Sequence, residues 1–65
     1  MTDRQKEIII ALAENNMNQE RAARAIYTSA PAVRYHIYRI KEITGLDPLR
    51  FFDLAKLYAR AKGVG

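Results

Sequence analysis

Between Gln19 and Tyr38 the sequence reads QERAARAIYTSAPAVRYHIY, and few folds can accommodate it. Two helix signals are separated by only a few turn residues. Asn18 is a good helix cap, and Ala22, Ala23 and Ile26 fall on one side of the helix that follows. Ser29 is the next cap, with Pro31 in the first turn, where a missing N–H costs nothing. Alanines on the inner side let a second helix approach closely, while Arg21 and Arg24 point outward. Two short helices crossing at a tight turn form a helix-turn-helix, whose second helix lies in the DNA major groove.

Start and stop chemistry bounds the remaining elements. The fold class is all-α, with helices expected over about 3–15, 18–27, 30–44 and 48–62 of a single domain, 1–65. Thr2 or Asp3 caps the first helix, and Thr2 with Gln5 has capping-box spacing. Ile8, Ile9, Leu12 and Ala13 make its inner stripe. Ile10 falls outside the stripe, either as one exposed isoleucine or as a dimer contact. Asn15 and Asn16 end the helix, since both tolerate left-handed backbone. In the third helix, 30–44, Val33, Ile37, Ile40 and Thr44 follow a 4-3-4 spacing, and Gly45 stops it with Leu46 folding back. Asp47-Pro48 opens the last helix. Its apolar face takes in Phe51, Phe52, Leu54, Ala55, Tyr58, Ala59 and Ala61, opposite Asp53, Lys56 and Arg60. That face either covers the seams of the first and third helices or partly meets another chain. No strand pattern competes; the β-prone run Tyr35–Ile40 lies between helix caps.

A chain of 65 residues holds one small core, and such a core relies on well-capped helices or a partner surface. Without cysteine there are no disulfides and no thiolate zinc sites. No apolar run approaches the roughly 20 residues of a membrane span. The opening MTDRQKE is not a signal peptide, so a cytoplasmic, nucleoid-associated protein is expected. Eleven Lys/Arg against seven Asp/Glu give a charge of +4, which points toward nucleic acid. The chain lacks a nucleophile–base pair, a glycine-rich phosphate loop and a cluster of metal ligands, so no enzyme is expected, and no cofactor, metal or small-molecule ligand.

The helix at 30–44 sorts its residues by face. Val33, Ile37 and Ile40 lie inward; Ala30, Pro31, Arg34, Tyr35, Tyr38 and Lys41 lie outward. The N-terminal part of such a helix meets base edges and flanking positions meet phosphates. Arg34 is the candidate for base readout, because a guanidinium bonds bidentately to guanine O6 and N7. Tyr35 and Tyr38 can bond phosphate or pack on sugars and thymine methyls; packing on the last helix or on a dimer partner is the alternative for each. Arg39, Arg21 and Arg24 are candidate phosphate clamps, and N–H groups near Ser29 and Gln19 can hold phosphates as well. His36, the only histidine, is placed at the edge of the core, with donation to a phosphate as the alternative.

These residues carry a resemblance. The segment AARAIYTSAPAVRYHIYRIKEITGLDP resembles the C-terminal helix-turn-helix domain of PucR/CdaR-type bacterial transcriptional regulators, whose motif is close to HRNTLRYRLxRIEELTGLD. The matching positions are Ala22, Ala23, Ala25 and Ile26, then Val33, Arg34, Tyr35, Ile37, Arg39, Ile40, Glu42, Ile43 and Thr44 through Asp47. The likeness runs from about Arg4 to Ala61, and Arg34–Asp47 is its specific part. The central unit is also similar to phage-repressor and Fis-like helix-turn-helix units. The resemblance implies a DNA-binding, dimeric transcriptional regulator. Two departures stand out. Ser29-Ala30-Pro31-Ala32 replaces His-Arg-Asn-Thr, putting small side chains at the reading end. Tyr27 stands where many such turns carry glycine, so strain is expected there. A sensor region normally precedes the family domain, and no ligand sensing is carried over to this chain.

The partners expected are double-stranded DNA and a second copy, through helix 48–62 with helix 3–15 as an additional surface. A protein-interaction module built on a degenerate helix-turn-helix, using helix 48–62 and the exposed tyrosines, is the alternative.

Overall fold

Hydrogen bonding at the helix ends sets the architecture. The computed structural model describes residues 1–63, which form α1 (Asp3–Glu14), α2 (Gln19–Ala25), α3 (Ala30–Thr44) and α4 (Phe51–Ala61). Thr2 caps α1 as the spacing requires. The Gln5 N–H donates to Thr2 Oγ1 at 3.1 Å, and the Thr2 N–H donates back to Gln5 Oε1 at 2.9 Å. This reciprocal box explains why Gln5 is a buried polar residue. Asn18 Oδ1 accepts from the Arg21 N–H, and Ser29 Oγ from the Ala32 N–H.

Both turns that flank α2 contain left-handed residues. After α1 the chain passes through Asn16 (φ 56°) and Met17 (φ 62°), and the Met17 N–H closes onto the Leu12 carbonyl at 2.7 Å. After α2 the expected strain is found at Tyr27, with φ 57°. The Thr28 N–H donates to the Ala23 carbonyl at 2.8 Å and the Tyr27 N–H to that of Arg24 at 3.2 Å. This is the double closure normally built around glycine. α3 does end on glycine: Gly45 has φ 74°.

α4 begins at Phe51, three residues later than the expected start at 48. The reason is that Asp47 serves a different turn. Its Oδ1 accepts from the Leu49 N–H and its carbonyl from the Arg50 N–H, both at 2.9 Å. Pro48, buried, stands at the corner of that turn. Asp53 then reaches back from the first turn of α4 to accept the Asp47 N–H at 3.0 Å.

α1 is the hub. It packs on α2, α3 and α4, while α2 also packs on α3; of the other helices, α4 packs on α1 alone. The last helix therefore does not close a seam with α3. The core holds Ile8, Ile9, Ala11 and Leu12 of α1, Ala22 and Ala23 of α2, Val33, Ile37 and Ile40 of α3, and Leu54 and Leu57 of α4. Ala11 takes the buried place expected of Ala13, and Leu57, outside the expected apolar face, is fully buried. Phe51 and Phe52 go the other way, 68% and 77% exposed. No helix among the described residues is long and apolar enough to cross a membrane.

Candidate nucleic-acid interface

The exposed side of α3 follows from its buried side. With Val33, Ile37 and Ile40 facing α1 and α2, the 3.6-residue period turns Pro31, Tyr35, Tyr38 and Glu42 to solvent, with Arg34 and Arg39 at the two edges. Tyr35 and Tyr38 are 61% and 62% exposed, on a helix that does not pack on α4. Ser29 and Pro31 are exposed and Ala30 half-buried. The N-terminal end of α3 is thus a small-residue surface, bounded by an arginine one turn along.

Ion pairing decides which cations are free. Among the described residues Arg39 pairs with Glu42 at 3.0 Å, Lys41 with Asp47 at 3.7 Å, Arg4 with Glu7 at 3.3 Å and Lys62 with Glu14 at 3.9 Å. Arg21, Arg24 and Arg34 are exposed and have no such partner. Arg39 is therefore a different kind of group from Arg34. Its guanidinium offsets a carboxylate on the outward face of α3, where a bare Glu42 would repel a polyanion. The pair is half-exposed and worth little by itself.

Arg34 and Gln19 border the same depression. With Met17, Asn18 and Glu20 they line an open cleft of about 480 Å³ between the start of α2 and the first turns of α3. Gln19 Oε1 is buried there without a hydrogen-bond partner among the described residues. The sequence reading did not single out Glu20, fourteen positions from Arg34. Only the packing of α2 on α3 brings Glu20 to the same cleft. Arg21 and Arg24 lie on the exposed side of α2.

His36 takes the edge-of-core position. It is half-buried, its Nδ1 is buried without a partner among the described residues, and its ring meets that of Tyr35 edge-on at 5.5 Å. Among the described residues no three of His, Cys, Asp and Glu are grouped as metal ligands would be.

Away from α3, the end of α1 and the start of α4 enclose an apolar groove of about 430 Å³, lined by Ala13, Asn16, Met17, Phe51, Leu54, Ala55 and Tyr58. Phe52 stands beside it, packed edge-on against Phe51 at 5.3 Å. The rim is polar: the Tyr58 hydroxyl donates to Glu14 Oε2 at 3.1 Å.

Compared with known families, residues 6–62 match the family model described as the PucR C-terminal helix-turn-helix domain. No curated protein and no solved structure gives a significant match.

Proposed function

Because the chain belongs to the PucR C-terminal helix-turn-helix family, we propose that it is a sequence-specific DNA-binding transcriptional regulator, or the DNA-binding domain of one, which inserts α3 into the major groove. One observation carries this reading: the outward side of α3 presents Arg34, Tyr35 and Tyr38 to solvent, with Arg34 free of any ion pair among the described residues. Arg34 reads a guanine edge. Tyr35 and Tyr38 donate to phosphate or pack on sugars and methyl groups. Ala30 and Pro31 sit closest to the bases, small enough to let α3 approach deeply. Gln19, Arg21, Arg24 and Ser29 hold phosphates along the flanks, with Arg39 joining them once Glu42 releases it. The protein works in the cytoplasm, on nucleoid DNA.

Two copies bind two half-sites about one helical turn apart. The second copy docks through α4, where Phe51, Phe52 and the adjacent groove leave apolar surface uncovered; α1 contributes through Ala13 at the groove wall. The same patch supports a second reading, a protein-interaction module whose helix-turn-helix no longer binds DNA.

Fluorescence-anisotropy titration of duplex DNA at two salt concentrations, with sizing of the complex, separates the two. With about four to six phosphates neutralised per copy, each copy contributes about −3.6 to −5.4 to the slope of log K against log salt. Absence of binding at low salt, or a slope near zero, refutes the DNA reading in favour of the interaction module.

A further inference from the structure

We propose that Glu20, which lines the same open cleft as Arg34, is a specificity-determining residue: its negative charge suppresses binding to bare phosphate more than binding to a guanine edge. The inference rests on the DNA reading above and deepens it. Among the described residues, Glu20 and Arg34 are the only charged ones lining this cleft; Met17, Asn18 and Gln19 are neutral. Both side chains are exposed, and no ion pair within 4.0 Å joins them to each other or to another described residue. Asn18, the one other polar side chain at the mouth besides Gln19, is committed to capping the Arg21 N–H.

An exposed arginine on a recognition helix has two competing targets. A backbone phosphate carries a full negative charge and is the same in every sequence. A guanine edge is neutral and offers O6 and N7. A fixed carboxylate nearby opposes the two unequally. Against phosphate it acts as charge on charge, falling with distance as 1/r; against the base it acts as charge on dipole, which is weaker and shorter in range. Placing Glu20 beside Arg34 therefore lowers sequence-independent affinity more than specific affinity. With Ala30 and Pro31 at the reading end, α3 offers few base contacts, so discrimination depends heavily on what Arg34 prefers. Glu20 also has a local role, since an acid in the first turn of α2 favours the helix. That role predicts a change in stability and no change in the ratio of two affinities.

The test compares wild type with Glu20→Gln on a duplex selected from a randomised pool and on a random duplex of equal length, at low and moderate salt. Glu20→Gln is expected to tighten random-duplex binding about two- to tenfold at low salt, less at moderate salt, and to tighten selected-duplex binding by a smaller factor. The ratio of the affinities then falls. In an Arg34→Ala background the same change leaves the ratio unaltered. Equal factors on both duplexes, or weaker random binding, overturn the role of Glu20 while leaving DNA binding intact. If wild type binds neither duplex at low salt, the DNA reading fails and this inference with it. Thermal melting of each variant checks that the comparison is between folded proteins.

Discussion

Replacing Tyr27 with glycine should stabilise this protein. Tyr27 is the left-handed residue that closes α2, with φ 57°. A residue with a Cβ pays about 1–2 kcal/mol there, because the Cβ crowds the following carbonyl. The side chain gives nothing back through burial, since Tyr27 is 97% exposed. Glycine removes the crowding but loses about 0.5–1 kcal/mol more chain entropy on folding. The balance favours Tyr27→Gly by about 0.5–1 kcal/mol, or roughly 2–8 °C in Tm for a domain of this size. Urea and thermal denaturation followed by circular dichroism measure it. Tyr27→Ala is the control: it keeps the Cβ in the left-handed region and should leave Tm nearly unchanged. If Tyr27→Gly lowers Tm by several degrees, or Tyr27→Ala matches its gain, backbone strain is the wrong account of this turn.

Three further outcomes are expected. Arg34→Ala should weaken binding to a selected duplex by about 1–3 kcal/mol in an anisotropy titration, with an unchanged circular dichroism spectrum. Leu57→Ala, at a fully buried site in the α1–α4 contact, should cost about 2–5 kcal/mol in urea unfolding. Phe52→Ser, at an exposed site, should shift stability within about 0.5 kcal/mol. In sedimentation with a two-half-site duplex it should reduce the two-copy complex, while binding to a single half-site stays as in wild type.

Legibility of the sequence varied with the range of the interaction involved. Caps such as Thr2, Asn18 and Ser29 bond to N–H groups three residues away, so their roles are written locally. The alternation of Val33, Ile37 and Ile40 against Arg34, Tyr35 and Tyr38 needs only the helical period. The match of Arg34–Asp47 to the family motif rests on the same residues and agrees with the matched span 6–62. The start of α4 is not legible locally, because Asp47 can cap a helix or close a turn with equal local sense. The bond from its N–H to Asp53, six residues on, accompanies the choice of the turn. Phe51 and Phe52 fit an apolar stripe, but a stripe is buried only where a neighbour covers it, and α4 has α1 alone.

By itself, then, this chain's order of residues specifies four helices, three of them with side-chain caps, a close-approach alanine contact and an arginine–tyrosine surface. Hydrogen bonds and side-chain sterics within a turn or two suffice for these. Tertiary packing decides that Glu20 shares a cleft with Arg34, that Leu57 rather than the phenylalanines anchors α4, and that a groove opens between Ala13 and Tyr58. Those are relations between helices, and they follow from how rigid elements dock rather than from the spacing along any one of them.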